Sequence, residues 1–264
     1  MTTDLYSQKS EVQKEYYNKT AKQYDDWHIN PPSAKVVDAW NFANLKKFLK
    51  DKHIGKSLEL GCGTGRLANS LFQISDEVYG VDLSEAVLQI AKEKYPNLKL
   101  QCSEVTHLPY PDNYFDLVII NGSLHHFFAV DKTFQEAYRV LKSGGVFVLL
   151  GEPSSQFLRL YNPFFYTWVI NRIVSKFLGF FKTNRSANEL IEPEAESYKP
   201  WVLKRQLQQA NFQVQDFYTY DYFARSNNKF LLKFYKTYLN FEHKIISKIF
   251  PYLGLAIQAM SIKK

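Results

Sequence analysis

Three glycines alternate at Gly61, Gly63 and Gly65, directly after the apolar run Ser57–Leu60 and before a helix-forming segment that opens at Arg66. Glycine has no Cβ and tolerates positive φ, so backbone there can approach a ligand that side chains would exclude. The unpaired first-turn N–H groups of the following helix face the same place. Asp82 closes the next apolar run, 21 residues after Gly61. An acid at the carboxyl end of a second parallel strand, about 20 residues after such a loop, is placed to accept hydrogen bonds from ribose hydroxyls. Its alternative role is to cap the helix opening near Glu85, for which Ser84 is the better residue. Farther on, His125 and His126 follow the apolar run 115–120. Imidazole is the side chain best suited to take a proton near neutral pH.

The spacing also excludes chemistries. A dinucleotide fingerprint needs a third glycine where this chain has Arg66, and a P-loop needs a lysine that is missing between Gly61 and Ser70. Adjacent histidines lack the i,i+4 spacing that puts two metal ligands on one helix face, so no metal is expected. Cys62 and Cys102 offer neither a disulfide framework nor zinc spacing, and both are expected as reduced thiols.

Elements that could hold these groups follow from the pattern between Lys56 and Leu150, where short apolar runs alternate with longer helical stretches as in a doubly wound parallel sheet. Strands are expected near 57–60, 78–81, 98–102, 115–120 and 145–150, with helices opening near Arg66, Glu85 and Asp131. Right-handed crossovers then gather every loop named above at one sheet edge. Beyond Glu152 the pattern predicts an aromatic insertion, a helix at 200–210, a strand at 212–222, a long helix at 228–249 and a last strand at 254–262.

Glu59-Leu60-Gly61-Cys62-Gly63-Thr64-Gly65 resembles the first motif of the class I S-adenosylmethionine-dependent methyltransferases. Val78-Tyr79-Gly80-Val81-Asp82-Leu83-Ser84 resembles their second strand with its terminal ribose-binding acid. The segment from Ser103-Glu104-Val105 through Leu108-Pro109 to Asp116 resembles the loop beside the adenine. Val118-Ile119-Ile120-Asn121-Gly122-Ser123-Leu124-His125-His126 resembles the fourth strand and its exit, and Arg139-Val140-Leu141-Lys142-Ser143-Gly144-Gly145 the turn before the fifth. Together they cover roughly residues 15–152, and the pattern is most similar to the type 11, ubiquinone- and menaquinone-biosynthesis-like group.

The resemblance implies a Rossmann-like seven-stranded α/β sheet, mostly parallel with an antiparallel C-terminal strand, and S-adenosyl-L-methionine as cofactor. It implies cofactor contacts from Tyr24, Glu59, Gly61, Cys62, Gly63, Gly65, Asp82, Leu83, Glu104, Val105 and Asn121. Glu59 stands in an apolar strand, where a carboxylate is costly unless paired; in the family this acid organises the glycine loop near the methionine end of the cofactor. Glu104 replaces the family's usual aspartate at the adenine, with Ser103 as its neighbour. Tyr16-Tyr17 through Tyr24 to Trp27 resembles the cap segment whose aromatics lean over the cofactor. Tyr17 and Tyr24, seven apart, are expected on one helical face.

Methyl transfer from a sulfonium is an in-line displacement in which positioning supplies most of the acceleration. His125 is the candidate base at the acceptor, set against the plainer role of packing the following helix. Asn30-Pro31-Pro32 and Asn162-Pro163-Phe164 look like the Asn-Pro-Pro-aromatic motif of amino-group nucleic-acid methyltransferases, but that motif belongs where Asn121-Gly122-Ser123 stands. The favoured reading is a methyltransferase for a small-molecule or lipid-like acceptor. The alternatives are one acting on RNA or protein, or a noncatalytic module of the same fold; nucleic acid is not the expected partner.

The chain is read as a helical cap over 1–50, a cofactor-binding core over 51–152, an aromatic insertion with a helix over 153–211, and strands with a basic helix over 212–264 completing one domain. Its 264 residues, 45% of them hydrophobic, suffice for one such core. Residues 1–151 carry a balance of −1 and residues 152–264 one of +8. Lys229, Lys233, Lys236, Lys244 and Lys248 fall within about 100° of helical arc, with Leu231, Phe234, Tyr238, Phe241, Ile245 and Ile249 opposite; the expectation is a solvated lysine face over a helix packed on the sheet, the alternative contact with anionic headgroups or an acidic substrate. The insertion Phe157–Phe181 is apolar all round and suits a lid, core packing or an interfacial anchor. With no secretory pattern and no long uncharged apolar stretch, a cytoplasmic protein is expected, with peripheral membrane contact as an alternative left open.

Overall fold

The computed structural model describes residues 3–28, 31–50, 52–155, 197–221 and 229–264. The insertion 157–181 lies outside the described residues. Seven strands form one sheet: β1 (Ile54–Leu60), β2 (Ser75–Asp82), β3 (Lys99–Cys102), β4 (Phe115–Asn121), β5 (Leu141–Pro153), β6 (Phe212–Tyr220) and β7 (Ala256–Lys263). Their spatial order is β3-β2-β1-β4-β5-β7-β6. The pairs β3-β2, β2-β1, β1-β4 and β4-β5 are parallel, and β7 runs antiparallel to both β5 and β6. The chain order reverses between β1 and β4, and the carboxyl ends of those two strands open the crevice where open α/β sheets bind ligands.

Both faces of the sheet are covered, which is why its central strands are apolar almost throughout. On one face α6 (Val130–Val140) and α7 (Pro200–Gln209) join a cluster around Leu58, Val118, Phe134 and Phe147. In α6 the residues Val130, Thr133, Phe134, Ala137 and Val140 are buried, the spacing of one helical stripe. On the other face α3 (Pro32–Leu49) and α4 (Arg66–Leu71) pack on Leu117, Ile119, Val146 and Val148. Ser84 caps α5 (Glu85–Lys94) by accepting the Val87 N–H, which leaves the Asp82 carboxylate for other partners. Among the described residues, no helix is long and apolar enough to cross a membrane.

Helices open at Arg66 and Glu85 as expected, and at Val130, one residue before Asp131. The fifth strand is longer than expected: it takes in Leu141 opposite Phe115, then shifts register before Leu117 pairs with Val146. The last strand begins at Ala256, later than the expected 254. Gly254 sits in the turn before it, where a Cβ would lie 2.5 Å from the Tyr220 backbone.

Two expectations are corrected. Tyr17 and Tyr24 do not share one helix: α1 (Thr3–Thr20) ends in a 3-10 turn over Ala21–Gln23 and α2 (Tyr24–His28) starts afresh, although the two rings still meet edge-on at 6.0 Å. The long basic helix is α8 (Lys229–Phe241) followed by a π turn over Glu242–Ile246 and a short helical end at Ser247–Ile249. Its buried face carries Tyr235, Leu239 and Ile246, whereas Phe234, Phe241, Ile245 and Ile249, expected to be packed, are exposed. The stripe that packs lies one residue on from the expected one, with Tyr235 buried in place of Phe234 and Ile246 in place of Ile245, so the helix is turned about its axis by about 100° from the expectation.

Candidate active site

The glycine loop is tied to the second strand by its own backbone. Gly61 and Cys62 both donate to the Val81 carbonyl, at 2.8 and 3.0 Å. Gly63 N–H donates to Asp82 Oδ2 at 2.8 Å, and Ser84 N–H donates to Asp82 Oδ1 at 3.0 Å. Asp82 thus joins the loop to the start of α5 while keeping further lone pairs toward the crevice. Burial pushes its pKa upward, and the N–H groups of Ser84 and Gly63 pull against that shift. Gly61 has φ +68, and a Cβ on it would lie 2.6 Å from Ser123 Oγ, so the loop passes β4's exit at backbone contact distance. Gly65 stands just before α4, against Leu98.

Two adjoining cavities open on the crevice and share Tyr24, Gly61 and Gly122 in their walls. Gly63, Asp82, Leu83, Ser103, Glu104 and Val105 line the first, under Tyr17 and Tyr24 of the cap. The second is polar and holds Glu59, Cys62, Asn121 and His125, with Asp38, Arg66 and Tyr220. Every residue expected from the sequence therefore lines one of them except Gly65, which only shapes the loop. These surroundings fit a nucleoside sulfonium. The first cavity offers an acid and a backbone loop beside apolar Leu83 and Val105, and Gly122, at the join, opens on space with no atom within 4 Å of where its Cβ would be.

Glu59 is 3% exposed beneath α4. Burial pushes its pKa up to about 8 against the opposing pull of Arg66 and the Ala68 N–H, and its Oε2 has no hydrogen-bond partner among the described residues. Arg66 Nη1 pairs with Asp38 Oδ2 at 2.6 Å on the same cavity wall. Burial also pushes the Cys62 thiol up, so it stays protonated. Among the described residues, both cysteines are free.

At the exit of β4 the two histidines diverge. His125 lines the second cavity and its Nδ1 lies 3.0 Å from Glu152 Oε2. Glu152, fully buried, also accepts the N–H groups of Ser123 and Leu124 on Oε1 and of His125 on Oε2, at 3.0 to 3.1 Å. One carboxylate therefore fixes the turn that carries the imidazole and the imidazole itself. His126 lines the first cavity, where its Nε2 lies 2.9 Å from the Tyr17 hydroxyl. The cap is tied down further where Ser84 Oγ donates to Asn18 Oδ1 at 2.7 Å and Thr64 Oγ1 donates to Asp25 Oδ1 at 2.6 Å.

Sequence reasoning missed Asp38, Arg66 and Tyr220 as cavity residues and Glu152 as the buried partner of His125. Glu152 carried a local signal only as an acid in an apolar strand, the same signal that singled out Glu59.

Comparison with known proteins identifies the family. A model of the methyltransferase domain matches residues 58–149. Demethylmenaquinone methyltransferase of Symbiobacterium thermophilum is 33% identical over 174 residues, which cover 61% of this chain and 67% of that protein. The chain is a class I S-adenosylmethionine-dependent methyltransferase. The ubiquinone/menaquinone biosynthesis C-methyltransferase UbiE of Neisseria meningitidis is 27% identical over 77% of this methyltransferase and 84% of its own length. Among solved structures, phosphoethanolamine N-methyltransferase 1 of Haemonchus contortus, in complex with phosphoethanolamine and S-adenosylhomocysteine, has a TM-score of 0.64 at 16% identity. That match covers all of this chain and 50% of the other. At that identity the likeness speaks for the fold alone.

Proposed function

We propose that this methyltransferase moves a methyl group from S-adenosylmethionine to a ring carbon of a lipid-like quinol. The acceptor class rests on the curated relatives, whose names specify demethylmenaquinone and C-methylation in ubiquinone and menaquinone biosynthesis. The observation that carries the reading is the pair of cavities joined at Tyr24, Gly61 and Gly122, with the ribose-type acid in one and an oriented imidazole in the other.

In this reading Asp82 holds the ribose, Glu104 faces the adenine amino group with Leu83 and Val105 beside the ring, and Tyr24 closes the cleft from above. Glu59, Cys62 and Asn121 border the methionine end, and the backbone of Gly61, Gly63 and Gly65 forms the cradle. The bound sulfonium supplies an already activated methyl group, so the protein's task is alignment. Carbon attack forms one C–C bond and breaks the methyl C–S bond; the ring C–H proton then moves to the oxygen that gave up its own, restoring the aromatic hydroxyl, so the one net proton released is the one the base holds. His125, oriented through Nδ1 by Glu152, takes the acceptor's hydroxyl proton at Nε2 and so raises the electron density of the ring. The test is incubation with tritiated methyl donor and a reduced demethylated naphthoquinone, with RNA and bulk protein as parallel acceptors. Label in the quinol fraction supports the reading; label confined to RNA or protein overturns it.

A further inference from the structure

The outer side of α8 and its continuation is a surface the fold leaves unused. Tyr235 and Leu239 are buried with Trp40, Tyr218 and Tyr220, while Phe234, Phe241, Ile245, Ile249 and Phe250 are 58, 49, 46, 64 and 42% exposed. Phe234, Phe241, Ile245 and Ile249 recur at helical spacing on one face, next to the face that buries Tyr235, Leu239 and Ile246. The result is a continuous apolar ridge. Alongside it, about a quarter-turn round the helix, run the exposed Lys233, Lys236, Lys244 and Lys248.

We propose that this ridge seats the protein on an anionic lipid bilayer, with the Phe and Ile side chains entering the headgroup boundary and the lysines meeting phosphates. A large apolar ridge beside a lysine stripe is the composition of a helix lying in the interface plane. A second copy of the chain is a poorer occupant, because isologous pairing would bring two lysine stripes together. Nucleic acid would use the lysines and leave the apolar ridge in water. No helix among the described residues can span a bilayer, so the contact is a surface one. The placement also has a use: the buried side of α8 shares a packed cluster with Val37 and Tyr220, both of which line the second cavity. The bilayer then lies about one helix diameter, roughly 10 Å, from the wall of that cavity. The seating stands on this surface and does not depend on the identity of the acceptor.

The experiment is co-sedimentation of the full chain with vesicles of phosphatidylcholine alone and of phosphatidylcholine with about a third phosphatidylglycerol, at low and high salt. The wild type is expected to bind the anionic vesicles at least tenfold more strongly than the neutral ones. The double variant Phe241→Ser/Ile249→Ser should lose most binding, and Lys244→Gln/Lys248→Gln should bind about tenfold less with a shallower salt dependence. All four positions are exposed, so unchanged circular dichroism and unchanged affinity for S-adenosylhomocysteine should accompany these losses. Equal binding to both vesicle types, undiminished binding by the ridge variant, or a self-associated form that the ridge variant dissociates while vesicles bind nothing would each overturn the proposal.

Discussion

His125 Nδ1 and Glu152 Oε2 stand 3.0 Å apart, although the two residues belong to different strands' exits and Glu152 is fully buried. The same carboxylate accepts three backbone N–H groups from Ser123, Leu124 and His125, so it is itself fixed in place against the imidazole it orients. Orientation of this kind matters most in the transition state. His125→Ala is expected to lower kcat by about a hundredfold to ten-thousandfold with the donor's Kd unchanged, and added imidazole should restore part of the rate. Glu152→Gln should lower kcat by at least about tenfold and also lower the melting temperature, since it places an amide N–H against donors. Steady-state kinetics with donor titrations separate the two effects.

Asp82 spends one hydrogen bond from each oxygen on the protein, to Gly63 and Ser84. Asp82→Asn should weaken donor binding about ten- to a hundredfold, the worth of a charge-assisted hydrogen bond, while leaving the fold intact. Isothermal titration with S-adenosylhomocysteine measures it directly.

Glu59 holds its proton up to about pH 8 in the fold because burial penalises its charged form, whereas an unfolded chain releases it near 4.5. The native state therefore carries the extra proton between those values. By linkage its contribution to stability is full below about 4.5 and is lost as pH rises toward 8. Glu59→Gln should flatten this loss: between about pH 6 and about pH 9 the wild-type melting temperature should fall by several °C more than the variant's, on the order of 5 °C. Differential scanning calorimetry at matched ionic strength reads the difference.

Gly61 and Gly122 share positive φ but differ in surroundings. Alanine at 61 would meet Ser123 Oγ at 2.6 Å, whereas alanine at 122 would meet no atom within 4 Å. Gly61→Ala should therefore destabilise the protein by more than about 2 kcal/mol and abolish donor binding, through strain and a displaced loop. Gly122→Ala should cost only the left-handed backbone penalty, about 1 kcal/mol, yet raise the donor's Kd or the acceptor's KM because its methyl enters the space where the cavities meet. Denaturation curves beside binding curves distinguish the two.

The parallel half of the fold was legible because its signals are local: apolar runs, a cap at Ser84, and a glycine loop whose distance to Asp82 is set by one strand and one helix. All of the expected cofactor residues but Gly65 line the two cavities for the same reason. Pairings across long separations were not legible. Tyr17 meets His126 across 109 residues and His125 meets Glu152 across 27, and no periodicity encodes either. The packed face of α8 was not legible for a third reason: Tyr235, Leu239 and Ile246 form a second apolar stripe one residue on from Phe234, Tyr238 and Ile245, and only packing with Trp40 and Tyr218 selects between the two.

Turnover of tritiated S-adenosylmethionine with a reduced demethylated naphthoquinone, run on wild type, Asp82→Asn and His125→Ala, bears most directly on the site. The expected result is label on a ring carbon with wild type, recovery of the Asp82→Asn rate at raised donor concentration, and no such recovery for His125→Ala. Undiminished kcat in His125→Ala, or donor affinity untouched by Asp82→Asn, would contradict it.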